Sequence, residues 1–176
     1  MEMDKALATK ALQLLDEKMM AATEKKVTLI IGGGGSMILQ HNFKGGTVDI
    51  DAVPVNSDFE DLKPYMEAVA KELKIAPDWL NPYYQAFTIY LPKDAKSRLK
   101  ITFSGKVITV KSLGAEDVLI MKLMAGRAKD IGHIQHLLKL NLDLSVVEKQ
   151  LEELIKLFPK LATKALERLD DFTENL

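Results

Sequence analysis

A run of four glycines between an apolar segment and a pair of aspartates constrains this fold more than any other feature of the sequence. Residues 27–31 are apolar and mostly β-branched, which is typical of a buried strand. The glycines at 32–35 end that strand, and residues 36–43 are predicted to form a short helix after them. Glycine leaves backbone N–H groups uncovered, and such groups at a helix start bind phosphate well. The stretch predicts either an anion-binding turn or simply a tight strand-to-helix connection.

Asp49 and Asp51 belong to the next predicted strand, which spans residues 47–53. Side chains on a strand alternate between its faces, so the two carboxylates are expected on one face, with Cα atoms about 7 Å apart. Adjacent negative charges repel each other, and a hard divalent cation such as Mg²⁺ or Mn²⁺ removes that repulsion. The pair therefore predicts a cation site, unless it only decorates an exposed strand face. The residues expected on the opposite, buried face are Val48, Ile50 and Ala52.

The remaining apolar patterns predict a sheet followed by a run of helices. Predicted strands at 27–31, 47–53, 86–91, 99–103 and 107–110 make a sheet of five strands with parallel and antiparallel parts. Predicted helices cover 1–22, the segment from 56–58 to 73, 115–127, 129–140, 145–158 and 161–172. Ser57 and Ser145 are each followed three residues later by glutamate, which predicts a capping box at two of these helices.

Length and composition limit the classes of protein to consider. The 176 residues are expected to form a core at 1–113 and a helical part at 114–176 that packs on it as one compact unit. The absence of cysteine excludes disulfides and thiolate metal sites. No apolar run reaches about 18 residues, so no membrane partner is expected and the cytoplasm is the expected location. A net charge of −1 provides no overall attraction for nucleic acid.

Two motifs together resemble a known superfamily. The pair Gly35-Ser36, followed after twelve residues by Asp49-Ile50-Asp51, resembles the signature of the polymerase-beta-type nucleotidyltransferase fold. The resemblance implies an α/β (α+β) fold with a mixed sheet of about five strands, flanking helices and a C-terminal helical bundle. It also implies that the acidic pair binds the metal and that the glycine turn holds the nucleotide phosphates. The implied phosphate-binding residues are Gly33, Gly34, Gly35 and Ser36.

The segment 115–130 resembles the later motif of the AbiEii toxin-like branch of that superfamily. Lys122, Arg127 and Asp130 match its lysine, arginine and aspartate, and the resemblance implies that Lys122 and Asp130 belong to the active site. Considered as residues alone, Lys122 interrupts an apolar run and must snorkel to solvent or pair with an anion, either Asp117, Asp130 or a phosphate. Asp130 is equally a candidate helix N-cap. Arg127 is a phosphate ligand or a solvated surface residue.

The resemblance implies a metal-dependent transfer of a nucleoside monophosphate from a nucleoside triphosphate to an acceptor. Mg²⁺ or Mn²⁺ is the implied cofactor, and RNA such as tRNA and an antitoxin protein are implied partners. Two departures favour an alternative, a catalytically degenerate member that binds a nucleotide or a partner protein. The later strands carry no third carboxylate, and His133 stands where this branch commonly has a second acid. A structural protein without a ligand is a third interpretation.

Two further features have a structural and a functional interpretation. His133 and His136 lie three residues apart on one predicted helix, and they are surface or partly buried histidines unless other ligands complete a zinc site. Trp79 is expected to anchor packing rather than to stack on a base.

Overall fold

The computed structural model describes residues 2–23 and 25–174 of the chain. The α-helices are α1 (Lys5–Ala22), α2 (Gly33–Leu39), α3 (Phe59–Leu73), α4 (Ala115–Ala125), α5 (Ile131–Leu138), α6 (Leu144–Ile155) and α7 (Pro159–Glu174). The strands are β1 (Val27–Ile31), β2 (Ile50–Pro54), β3 (Leu80–Asn81), β4 (Lys100–Ser104) and β5 (Ile108–Ser112). Short 3₁₀ helices span Tyr83–Tyr90, Ala95–Arg98 and Ala128–Asp130. In these two ranges no helix combines the length and the apolar character that crossing a bilayer requires.

The five strands form one mixed sheet in the order β3-β2-β1-β5-β4. The central strand β1 pairs antiparallel with β2 and parallel with β5. The outer strands β3 and β4 pair parallel with β2 and antiparallel with β5, respectively. The predicted α/β class with a five-stranded mixed sheet and flanking helices is confirmed.

The sheet belongs to a compact unit made of the described residues up to Gln85 together with Leu99–Leu113. Its core joins alternate residues of the inner strands to the apolar faces of α1 and α3. Burial of large apolar side chains contributes about 1.5–3 kcal/mol each relative to exposure, so this core dominates the stability of the unit. The fully buried core residues include Leu12, Leu15, Leu29, Ile31, Ile50, Leu62, Trp79 and Ile108.

Asp16 ties α1 to the hairpin between β4 and β5. Its carboxylate is 7% exposed and accepts backbone hydrogen bonds from Lys106, Val107 and Ile108 at 2.7–2.9 Å. A Cβ at Gly105 would overlap this carboxylate, which explains the glycine in the turn. Burial acts to raise the pKa of Asp16, but the three N–H donors outweigh it and hold the pKa below its usual value.

A second compact unit consists of Ala86–Arg98 and the described residues from Gly114 onward. Helix α4 contacts α5, α6 and α7, and most of its residues are buried. Asp117 on this helix is fully buried and accepts two hydrogen bonds from Arg98, at 2.7 and 3.1 Å. Burial raises the pKa of Asp117, whereas the Arg98 guanidinium opposes that effect. This ion pair could not be predicted from the sequence, because its partners are 19 residues apart and match no motif.

The predicted strand at 86–91 is wrong. These residues lie largely in the 3₁₀ helix Tyr83–Tyr90, and the fifth strand of the sheet is β3 instead. Phe87 and Tyr90 are three residues apart, so the 3₁₀ period places them on the same side. Their rings contact each other at a centroid distance of 6.1 Å, and Tyr90 also contacts Phe158 at 5.3 Å. Aromatic packing therefore overrides the β propensity of the segment.

Both predicted serine caps are also wrong. The N-cap of α3 is Asp58 rather than Ser57, and its side chain makes no capping hydrogen bond. The N-cap of α6 is Asp143, whose carboxylate accepts the backbone N–H of Ser145 at 3.1 Å. In each case an aspartate takes the N-cap position, and of the two only Asp143 makes a capping hydrogen bond.

Candidate functional site

Asp51 lies on β2 directly beside the start of α2. The backbone N–H of Gly32 donates to the carbonyl of Asp51 at 3.2 Å. A Cβ added to Gly33 would lie 2.5 Å from Oδ2 of Asp51, so the half-buried carboxylate rests against the glycine backbone. Gly33 also has φ +55°, a left-handed conformation that costs other residues roughly 1–2 kcal/mol. Glycine at position 33 is thus required for two independent reasons.

The next two glycines allow α2 to lie closely against the segment before and within β2. A Cβ at Gly34 would overlap the Thr47 hydroxyl, and a Cβ at Gly35 would lie 2.9 Å from Cγ2 of Ile50. Helix α2 begins at Gly33, three residues before the predicted start at residue 36. The glycines therefore form the first turn of the helix, where the N–H groups have no acceptor within the helix itself.

Asp49 precedes β2 instead of lying within it. The predicted strand at 47–53 begins only at Ile50, because Thr47 pairs with Met3 through reciprocal backbone hydrogen bonds of 2.6 and 2.9 Å. The alternation expected for a continuous strand is lost there, and Val48, predicted to be buried, is 60% exposed. The predicted burial of Ile50 and Ala52 is confirmed.

Asn81 on β3 holds the Asp49 carboxylate. Its Nδ2 donates to Oδ2 of Asp49 at 3.0 Å, and its Oδ1 accepts the backbone N–H of Tyr83 at 2.9 Å. Asn81 is only 3% exposed, and it is the register partner of Asp51 in the parallel β2–β3 pair. Asn81 was not among the predicted site residues, because a strand of two residues has no periodicity to detect.

Tyr84 closes the site on the side of Gly32. Its hydroxyl donates to the carbonyl of Ile30 at 2.9 Å, and its ring lies where a Cβ at Gly32 would come within 3.1 Å. Burial raises the pKa of Tyr84, and the negative charge of Asp51 raises it further. Tyr84 is therefore a neutral hydrogen-bond donor at neutral pH.

Ser36 is fully buried, and its polar groups have protein partners. Its hydroxyl donates to the carbonyl of Leu113 at 3.4 Å, and its N–H donates to the carbonyl of Gly32 at 3.0 Å. Gly33 and Gly34 are half-buried, whereas Gly35 is buried. The phosphate-binding role predicted for Ser36 stays a prediction, and the more accessible part of the turn is Gly33–Gly34.

Asp49 and Asp51 offer carboxylate oxygens, the donor type that Mg²⁺ and Mn²⁺ prefer. Among residues 2–23 and 25–174, no three or more His, Cys, Asp or Glu side chains form a cluster able to bind a metal alone. Mg²⁺ does not need such a cluster, since it commonly uses one or two carboxylates together with phosphate oxygens and water. Asp49 and Asp51 match that donor set, and the half-buried Gly33 and Gly34 lie next to Asp51 and Thr47.

In the second unit, Lys122 forms a buried ion pair with Asp130. The distance from Nζ to Oδ1 is 2.6 Å, and the two side chains are 7% and 8% exposed. Burial lowers the pKa of Lys122, and the bond to Asp130 opposes that effect. Burial acts to raise the pKa of Asp130, but its contacts with His133 and Lys122 outweigh it and hold the pKa well below its usual range. Of the partners considered for Lys122, the protein uses Asp130, because Asp117 is engaged by Arg98.

Arg127 lies on the surface beside this pair. Its Cζ is 4.9 Å from the centroid of the Phe87 ring, a cation–π contact. Asp130 occupies the N-cap position of α5, but its side chain makes no capping hydrogen bond. Nδ1 of His133 lies 3.5 Å from the same Asp130 oxygen that Lys122 contacts. The Asp130 carboxylate therefore contacts Lys122 and His133 and does not cap α5.

Trp79 is a packing anchor, as expected. It is fully buried, and its indole N–H donates to the carbonyl of Met66 at 3.2 Å.

Comparison with known proteins adds one finding. The model of the family DUF6036, described as a nucleotidyltransferase of unknown function, matches residues 10–172. Searches of curated proteins and of solved structures found no match. The family match covers nearly the whole chain. The protein therefore belongs to this family of nucleotidyltransferases of unknown function.

Proposed function

We propose that this protein transfers a nucleoside monophosphate from a nucleoside triphosphate to a hydroxyl group of an acceptor. In this reaction the acceptor oxygen forms a bond to the α-phosphorus, the bond from that phosphorus to pyrophosphate breaks, and the hydroxyl proton passes to solvent or a base. The observation that supports the proposal most is the position of Asp51 against Gly33, with Asp49 just before the same strand.

Asp49 and Asp51 are proposed to hold Mg²⁺ or Mn²⁺. A divalent cation bound there would neutralise the negative charge that develops on the transferred phosphate and on pyrophosphate. The backbone of Gly33, Gly34, Gly35 and Ser36 and the Ser36 hydroxyl are proposed to contact the β- and γ-phosphates. This assignment follows the family resemblance, and the half-buried state of Gly33 and Gly34 is consistent with it.

Lys122 and Asp130 are proposed to belong to the active site, as the AbiEii-like motif implies. Lys122 supplies positive charge, and Asp130 keeps its ammonium group charged and oriented through the 2.6 Å contact. Arg127 is exposed and provides a second positive group for phosphate. The acceptor proposed from the same resemblance is RNA such as tRNA, and an antitoxin protein is the proposed partner.

The experiment is transfer of label from each α-labelled nucleoside triphosphate to total RNA in the presence of Mg²⁺. We expect labelled RNA with the wild type and none with Asp49→Ala or with EDTA. Glu17→Gln, which changes an exposed acid on α1, is the matched control and should retain transfer. Mg²⁺-dependent nucleotide binding without transfer to RNA would contradict the RNA assignment and favour the binding-only alternative. Transfer that is unchanged in Asp49→Ala would contradict the proposed site.

A further inference from the structure

We infer that Asn81 is a positioning residue for the cation-binding carboxylates, and that its amide orients the Asp49 carboxylate. The inference rests on the proposed function, because it concerns the cation that Asp49 and Asp51 are proposed to hold. It concerns a residue that no motif in the sequence indicates.

The first step is the orientation of the Asn81 amide, which its partners determine. The backbone N–H of Tyr83 can only donate, so the group that faces it at 2.9 Å must be the amide oxygen. The amide nitrogen then faces two acceptors, the Asp49 carboxylate at 3.0 Å and the carbonyl of Asp78 at 3.2 Å. All three contacts are satisfied in this orientation, whereas the flipped amide would place an oxygen against two oxygens.

The second step is the place of Asn81 in the sheet. Asn81 pairs in register with Asp51 on the neighbouring parallel strand, and its side chain bonds to Asp49. One residue thus connects both acids, Asp51 through strand pairing and Asp49 through its amide. Asn81 is 3% exposed, so packing limits the freedom of its side chain.

The third step is the charge of the site. An aspartate at position 81 would bring a third negative charge within hydrogen-bond distance of Asp49, and this arrangement is unfavourable without a bound cation. The neutral amide instead donates a hydrogen bond to one oxygen of the Asp49 carboxylate. This bond restricts the direction in which the other oxygen points. Such outer contacts to metal-binding carboxylates typically change metal affinity by 10–100-fold when they are removed.

The test is Mn²⁺ binding to the full chain without nucleotide, followed by the paramagnetic resonance signal of the free ion at protein concentrations high enough to detect weak binding. We expect Asn81→Ala to bind Mn²⁺ roughly tenfold or more weakly than the wild type. Asn56→Ala is the matched control, because Asn56 also accepts a backbone N–H and donates to a carbonyl, at 2.9 and 2.7 Å, and neither of these partners is a carboxylate. Asn56→Ala should bind Mn²⁺ as the wild type does.

Asn81→Asp provides a second readout that does not depend on activity. In EDTA its melting temperature should fall below that of the wild type, because the new carboxylate faces the Asp49 carboxylate and the Asp78 carbonyl. Mn²⁺ should then raise the melting temperature of Asn81→Asp by more than it raises that of the wild type. An equal rise in both proteins would contradict the inference.

Two failures can be told apart by including Asp51→Asn. If Asp51→Asn loses Mn²⁺ and Asn81→Ala retains wild-type affinity, the inference is wrong and the proposed cation site stands. If Asp51→Asn binds Mn²⁺ as the wild type does, the proposed cation site is wrong and the role of Asn81 is excluded with it.

Discussion

At the scale of single residues, Asp16 stabilises the fold, although no local sequence motif predicts this role. It is a buried acid in the middle of α1, and its carboxylate receives three N–H groups from the β4–β5 turn. Removing the carboxylate would leave these donors without their acceptor. Hydrogen bonds to a charged group are worth about 1.5–3 kcal/mol each, with losses that are not additive.

We expect Asp16→Ala to lower the free energy of unfolding by about 3 kcal/mol or more at neutral pH. The pKa of Asp16 is lowered in the folded protein, so its stabilisation is fully present above the unfolded pKa of about 3.9. The stabilisation is lost as the pH falls through the folded pKa. Urea unfolding at several pH values between about 2.5 and 7 measures how the free energy of unfolding changes around the unfolded pKa.

Glu17→Gln, at an exposed acid beside Asp16, is the control. If Asp16→Asn shows the same pH dependence as the wild type, this account of Asp16 is wrong.

Lys122 and Asp130 give the second prediction at this scale. Breaking a buried ion pair by removing one partner typically costs about 3–5 kcal/mol, because the remaining charge is left uncompensated. We expect Lys122→Met and Asp130→Leu each to destabilise the protein by about this amount. The double variant should cost about 1–3 kcal/mol less than the sum. Urea unfolding of all four proteins measures this coupling, and additive costs would show that the pair does not act as a unit.

The exposed pair Lys25–Asp61 is the control for that cycle. Its atoms are 3.2 Å apart, but both side chains are more than half exposed, at 54% and 55%. Solvent screens such a pair, so Lys25→Met should change the free energy of unfolding by less than about 1 kcal/mol.

At the scale of elements, the first turn of α2 depends on glycine. We expect Gly33→Ala to destabilise the protein by about 1–2 kcal/mol from its left-handed backbone, and by more if Asp51 must move. The same change should weaken Mn²⁺ binding, because the added Cβ would displace the Asp51 carboxylate. Thermal melting and Mn²⁺ titration of the same sample measure both effects.

Gly132→Ala is the matched control on another short helix, α5. A Cβ at Gly132 would meet nothing within 4 Å, so alanine should be neutral or stabilise the helix by up to about 1 kcal/mol. If Gly33→Ala behaves like Gly132→Ala, the close contact between α2 and the acidic strand is not important for stability.

Elements with a clear period could be predicted from the sequence, and those set by distant partners could not. The strand at Val27–Ile31 and the helix α4 follow directly from their apolar patterns. The segment 83–90 has strand-like composition, but its aromatic side chains pack at the 3₁₀ spacing of three. The strand β3 is too short for any period, and only its pairing with β2 defines it.

At the scale of the whole molecule, the glycine turn and the two acids could be located from sequence because they are close in the chain. Gly33 and Asp51 come into contact because β2 pairs beside β1, and the 18 residues of separation between them are long enough for this return. Asn81 could not be predicted, since it reaches Asp49 across 32 residues of sequence. Lys122 had several candidate partners, and the choice of Asp130 follows from Arg98 taking Asp117.

The central claim is that Asp49 and Asp51 bind a nucleoside triphosphate through a divalent cation. The most direct measurement is calorimetric titration of the wild type and Asp51→Asn with non-hydrolysable analogues of the four common nucleoside triphosphates, each with Mg²⁺ and with EDTA. The account predicts that at least one analogue binds the wild type with Mg²⁺, and that this binding is lost in EDTA and in Asp51→Asn. Binding of equal strength under all these conditions, or no binding of any analogue to the wild type, would contradict it.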